Sequence, residues 1–145
     1  CELCEKTYDT DYKDAIACSS RQIAQLVAWI QQQDFYANTT VIVTGDHLSM
    51  SAEMEKELGG YSHRRVYNCF LNAAAAPVKT QERVFTAMDM FPTTLAALGV
   101  QIEGDRLGIG TNLFGTRQTL AEELGFETYE QEISRHSSFF DSLAY

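Results

Sequence analysis

No stretch limits what this chain can fold into more than Val41-Ile42-Val43-Thr44-Gly45-Asp46-His47. Its apolar positions are consecutive rather than alternating, which reads as an interior strand of an α/β sheet. Groups just past the carboxyl end of such a strand line the crevice where ligands bind. Asp46 and His47 fall there. A carboxylate oxygen beside an imidazole nitrogen suits Zn²⁺ or Mn²⁺. The same residues also fit a plainer reading, in which Gly45-Asp46 makes a turn and His47 is simply exposed.

With 145 residues, 45% of them hydrophobic, the chain is long enough for one domain with a real core. Its 20 acids against 11 bases give a formal net charge of -9. That excludes a nucleic-acid partner, which needs clustered Lys and Arg, and a broad electrostatic grip on anionic lipid. An anionic substrate would need local positive charge such as a metal ion. No window has the roughly 20 apolar residues of a membrane span. The sequence shows no signal peptide and does not begin with Met, so a fragment of something longer is expected. Of the cysteines, Cys1-x-x-Cys4 lacks a second pair at zinc-ligand spacing. A disulfide from Cys18 to Cys1 or Cys4 is expected in an oxidising compartment, with Cys69 a buried thiol in a strand.

Taken in order, Asp9, Asp11 and Asp14 lack the Gly and closing Glu of a calcium loop. Tyr12, Ile16, Ile23, Leu26, Val27 and Ile30 recur with helical period, predicting a helix over 11–33 that covers one side of the sheet. A turn at 34–39 leads to a strand at 40–45. The segment 48–65 is a long loop beside the candidate site, with a short helix around Ala52–Leu58. It closes on His63, Arg64 and Arg65, the densest positive patch in the chain, suited to a substrate anion or to a solvated loop end. Strands are expected at 66–72 and 82–85. Thr86 or Asp89 caps a helix with Pro92 in its first turn, which stops at Gly99. The glycine-rich stretch 100–117 has no following Lys-Ser/Thr, so it is not a nucleotide loop and reads as an irregular crossing. A short helical turn at 120–125 precedes a last helix over 126–144, with Tyr129, Ile133 and Phe140 placed to pack it down. His136 there reads as a surface residue.

Three segments carry a family likeness. Asn38–His47, ending Thr-Gly-Asp-His, resembles the late metal-binding strand of the alkaline phosphatase and sulfatase superfamily. Met88–Val100, with Asp89-x-x-Pro92-Thr93, resembles the later sulfatase-type helix. Gly104–Leu113, together with Gly45-Asp46-His47-Leu48-Ser49-Met50, resembles more narrowly the membrane phosphoglycerol transferases, the branch that also holds the lipoteichoic-acid synthases. The likeness covers roughly residues 10–124.

The resemblance implies part of a sulfatase-like sheet flanked by helices over 1–124, with a helical extension over 125–145. It implies that Asp46 and His47 are metal ligands, for Mn²⁺ first and Zn²⁺ or Mg²⁺ otherwise, and that His63, Arg64 and Arg65 meet the substrate phosphate. The family's Thr nucleophile has no match in this chain, and Thr44 does not take its place. The implied reaction moves phosphoglycerol from phosphatidylglycerol to a glycan or glycerol-phosphate acceptor, on the outer face of a bacterial membrane, through a covalent Thr intermediate. The fragment alone is expected to be inactive. Its cut edges would favour self-association. Other readings are a phosphatase, sulfatase or phosphoethanolamine transferase of the same superfamily, a non-catalytic module that lost the metal, and an unrelated secreted, disulfide-bonded interaction domain.

Overall fold

The computed structural model describes residues 4–59, 65–79 and 81–143, and the side chain of Phe140 is not among the described ones. Helices and short antiparallel strands alternate along the chain, which divides into two compact units, Cys1–Asn72 and Ala73–Tyr145.

In the first unit, helix α1 spans Asp11–Gln31. Thr10 caps it by accepting the Lys13 N–H. One turn in, the buried Asp14 carboxylate accepts the N–H groups of Thr7 and Tyr8 at 2.7 and 2.9 Å. Those two bonds hold its carboxyl below the usual carboxylate range. Cys18, one turn further, is bonded to Cys4. Of the two partners open to Cys18, the structure therefore takes Cys4. Cys1 lies outside the described residues.

A 3₁₀ turn, Asp34–Asn38, leads to β1, Val41–Thr44, which pairs antiparallel with β2, Asn68–Leu71. The register sets Val41 against Leu71 and Val43 against Cys69. Asn72 ends β2 at φ 54°, and its amide reaches back to the carbonyls of Tyr36 and Thr39 at 2.7 and 3.0 Å. The expected interior strand is thus half-buried, because among the described residues β1 pairs only with β2. Two four-residue strands have too little surface to enclose both faces. Cys69 is likewise half-buried rather than buried. Helix α1 does not close on the ribbon as expected: Ile16, Ile23 and Val27 line an open apolar groove of about 700 Å³ with Val43, Cys69 and Leu71, and Ile16 and Ile23 stay exposed. Between the strands, α2 spans Ala52–Glu57 and is capped by Ser51.

The second unit is built on one buried carboxylate. Thr86 and Asp89 form a capping box at a 3₁₀ turn that runs into α3, Met90–Ala97. Asp89 Oδ2 accepts the Thr86 N–H at 2.8 Å, and Oδ1 accepts the Thr111 N–H at 2.7 Å. The Thr93 hydroxyl donates to the Asp89 carbonyl at 2.6 Å and accepts the Leu113 N–H at 3.0 Å. These bonds pin a hairpin of β3, Arg106–Leu107, and β4, Gly110–Thr111, against α3. Gly110 has to be glycine here: a Cβ would lie 2.0 Å from the Met88 carbonyl oxygen. The expected irregular surface crossing over 100–117 is therefore corrected at 106–112, where the chain forms a hairpin and Thr111 is fully buried, while most of the stretch is irregular. Glycine content marked the stretch as loose, whereas its partners are in α3.

The strand expected at 82–85 is absent. Glu82 sits at φ 57°, and the Val84 N–H goes to Glu122 Oε1 at 3.1 Å rather than to a ladder. Arg83, nearly buried, meets the same oxygen at 2.9 Å and donates to the carbonyls of Gly115 and Arg117. Helices α4, Leu120–Leu124, and α5, Phe126–Ile133, follow. Buried Tyr129 joins its hydroxyl to that of Thr86 at 3.1 Å. The single last helix breaks after Ile133 and resumes as α6, Ser138–Leu143. Ile133 is exposed, so it does not pack α5 down as its spacing predicted.

Gly110→Ala is expected to cost about 2–3 kcal/mol, because the added methyl meets backbone rather than a movable side chain; urea unfolding measures it. Acid is expected to loosen this unit through Glu122. Burial pushes that carboxyl up, but the N–H groups of Thr119 and Val84 and the Arg83 guanidinium together bring it below its ordinary value. A lowered carboxyl stabilises the fold above the ordinary glutamate range, and that contribution is lost as pH falls through the folded value. Glu122→Gln should flatten this limb of a stability-against-pH curve.

Candidate functional site

The ladder does not stop with β1. Gly45 donates its N–H to the Tyr67 carbonyl at 2.8 Å, so the backbone is held for one residue more. A Cβ on Gly45 would come within 3.2 Å of the Val66 Cβ, so Val66 would have to give by a few tenths of an ångström. Opposite Thr44, its hydroxyl donates to Asn68 Oδ1. The sequence offered no signal for that pair, because it depends on the register of β1 against β2.

Asp46 and His47 follow at once, both exposed, with side chains 88% and 58% accessible. The His47 N–H donates to Asp46 Oδ1 at 2.9 Å. Its ring nitrogen Nδ1 lies 2.7 Å from the Leu48 carbonyl oxygen, and Nε2 lies 3.4 Å from Asp46 Oδ2. Both ring nitrogens thus face oxygen atoms, the Leu48 carbonyl on one side and the Asp46 carboxylate on the other, and these contacts set the orientation of the ring. The carboxylate and the imidazole therefore converge, and neither is tied into a core. The turn reading and the ligand reading coincide here: the backbone bends at both residues, and the bend presents the two donors together.

Arg65 is described and exposed on the strand leading into β2, two positions before the Tyr67 that pairs with Gly45. His63 and Arg64 lie outside the described residues. Among the described residues, no group of three or more His, Cys, Asp or Glu is gathered as a metal cage.

Residues 4–100 match the sulfatase family model, two-thirds of the chain. The chain belongs to the sulfatase family. Phosphoglycerol transferase I of Xanthomonas euvesicatoria pv. vesicatoria (strain 85-10) is 30% identical over 99 residues, covering 68% of this chain and 14% of that protein. Phosphoglycerol transferase I of Xanthomonas axonopodis pv. citri (strain 306) is 31% identical over 84 residues, covering 58% of this chain and 12% of that protein. The chain thus spans about one-seventh of the length of the first relative and one-eighth of the second. No solved structure matches it. Its α/β organisation is consistent with a sulfatase-like fragment.

Sulfatase superfamily members generally use divalent metals. The donor set at Asp46–His47 fits such an ion: an exposed carboxylate, an imidazole whose second nitrogen is anchored to a carbonyl, and open access. Anchoring of the distal nitrogen is the usual support of a ligating histidine. The family segment Asp89-x-x-Pro92-Thr93 has a different role in this sulfatase-family chain. Both Asp89 oxygens and the Thr93 hydroxyl are committed to backbone groups, so the segment is scaffold.

Exposed as they are, Asp46 and His47 contribute little to folding. An Asp46→Ala, His47→Ala double variant is expected to keep its unfolding free energy within about 0.5 kcal/mol, read from a denaturant titration.

Proposed function

We propose that this chain forms part of the catalytic domain of a phosphoglycerol transferase, in which Asp46 and His47 supply two of the ligands to a divalent cation, Mn²⁺ by preference. One observation carries the reading: the exposed Asp46 carboxylate and His47 Nε2 converge to 3.4 Å, with the ring held by its Nδ1 contact to the Leu48 carbonyl. When bound, such a cation neutralises phosphate oxygens and lowers the pKa of a hydroxyl it holds.

The proposed reaction moves phosphoglycerol from a phosphatidylglycerol headgroup to a hydroxyl of a glycan or polyol acceptor, on the outer face of a bacterial membrane. A threonine oxygen replaces the lipid oxygen on phosphorus, and the acceptor oxygen then replaces the threonine. That threonine belongs to polypeptide other than these 145 residues. Thr44 is unsuited, because its hydroxyl is already donated to Asn68. His63, Arg64 and Arg65 are assigned the role of offering positive charge to the phosphate in this reading. Membrane attachment is also left to other polypeptide: among the described residues, no helix is long and apolar enough to cross a bilayer.

Mn²⁺ titration followed by paramagnetic broadening of amide signals tests the ligand assignment. Broadening should centre on Gly45–Leu48, and the Asp46→Ala, His47→Ala variant should weaken it by more than about tenfold. Equal broadening in both proteins would favour a module without a metal site. Turnover of a chromogenic phosphodiester by the 145-residue chain unaided would show that the nucleophile assignment is wrong.

A further inference from the structure

The second unit holds an open pocket of about 410 Å³ that shares no residue with the Asp46–His47 site. Its floor is the ion pair of Arg83 and Glu122, whose side chains are 8% and 12% exposed. That pair is already committed. Arg83 donates to Glu122 Oε1 and to the carbonyls of Gly115 and Arg117, and Glu122 accepts the N–H groups of Val84 and Thr119. One wall is apolar, made by Val84, Ala121 and Phe126. The rim is polar, with Lys79, Glu82, Thr116 and Gln118 all exposed.

The backbone puts two of these residues where they are. Gly125 lies at φ 80°, which turns the chain between α4 and α5 and sets Phe126, the first residue of α5, at the pocket with its side chain half exposed. Glu82 is itself held at φ 57°, and its carbonyl accepts from Lys79 Nζ at 3.4 Å. Non-glycine residues in that region gather at ligand sites.

Charge and chemistry then decide what fits. Arg83 offsets Glu122, and Lys79 offsets Glu82, so the pocket favours neither an anion nor a cation. Among the described residues, the side chains of Thr116 and Gln118 enter no hydrogen bond, and each can both donate and accept. A matching ligand is uncharged, has an apolar face for Phe126, and carries groups at its edge that donate and accept. A sugar ring has all three, with C–H groups on its face and hydroxyls around it. The volume is that of a small-ligand site. We propose that this pocket binds a neutral saccharide, with the Phe126 ring against a sugar face and Lys79, Glu82, Thr116 and Gln118 meeting its hydroxyls. No metal enters this inference and it uses nothing of the cation reading, so either can fail without the other.

Amide-signal titration of the 145-residue chain tests it. The probes are maltotriose, laminaritriose and gentiotriose, neutral glucans that differ in linkage, with glycerol and inorganic phosphate as comparisons. At least one glucan should move the signals of Lys79, Glu82, Gln118 and Phe126 together and saturably. Phe126→Ala should weaken that binding about fivefold, the scale of one lost aromatic face, and Phe126→Tyr should keep it. Gln118→Ala is an exposed change that leaves the Arg83–Glu122 pair alone, and it should weaken binding about threefold even if Phe126→Ala loosens α5. No movement of these signals with any glucan, at concentrations well above the millimolar range, overturns the proposal. Glucan shifts that neither alanine variant alters do the same. So does phosphate acting more strongly than the glucans, which would mark an anion site, or glycerol acting as strongly, which would leave the ring face without a role.

Discussion

The hydrogen bond from Gly45 to the Tyr67 carbonyl decides where the chemistry of this chain can be. Strand β1 ends at Thr44, and this bond carries the pairing one residue further. With it, the backbone is held to within one residue of the carboxylate. Glycine is favoured at that point by close approach rather than by its dihedral freedom, since a Cβ would lie 3.2 Å from that of Val66. Asp46 and His47 are thus presented by a ladder of strand bonds, which is a stiffer support than a loop of the same length.

The second unit shows the opposite use of a carboxylate. Asp89 is almost wholly buried, and each oxygen is spent on a backbone N–H. Asp46 is exposed, with one oxygen on a neighbouring amide and the other facing an imidazole. Both lie in segments that resemble the sulfatase family, and resemblance alone does not separate them. Burial and bond count do. A carboxylate with its lone pairs committed in the interior joins elements together, while one left in solvent has capacity for a ligand.

That distinction also explains what the sequence revealed and what it withheld. Helix α1, the cap at Thr86–Asp89, the stop at Gly99 and the strand before Gly45 depend on neighbours within a turn or two, and each was legible. The position of Asp46 and His47 just past that strand was legible for the same reason. The hairpin at 106–111 was not, because its decisive partner, Asp89, lies 22 positions before Thr111. Nor was the loss of a strand at 82–85, where Glu122, 39 positions from Arg83, takes the bonds a neighbouring strand would have taken. Apolar pattern reports which face a residue prefers. It carries no record of a buried carboxylate arriving from elsewhere in the chain.

Exposure of the ligand pair has an energetic meaning of its own. Neither group is desolvated in the fold, so neither has to be compensated by a bound cation for the chain to fold. Small zinc domains behave differently, since their folding free energy is largely the free energy of metal binding. Here the fold is held by α1 with its Cys4–Cys18 bridge, by the ribbon, and in the other unit by Asp89 and Thr93. The cation is left as a separable event. A site of that kind can be open on one side, as it must be if other ligands and a phosphate are to reach the same ion. Its geometry then has to come from elsewhere, and the available source is the hydrogen bond that orients His47.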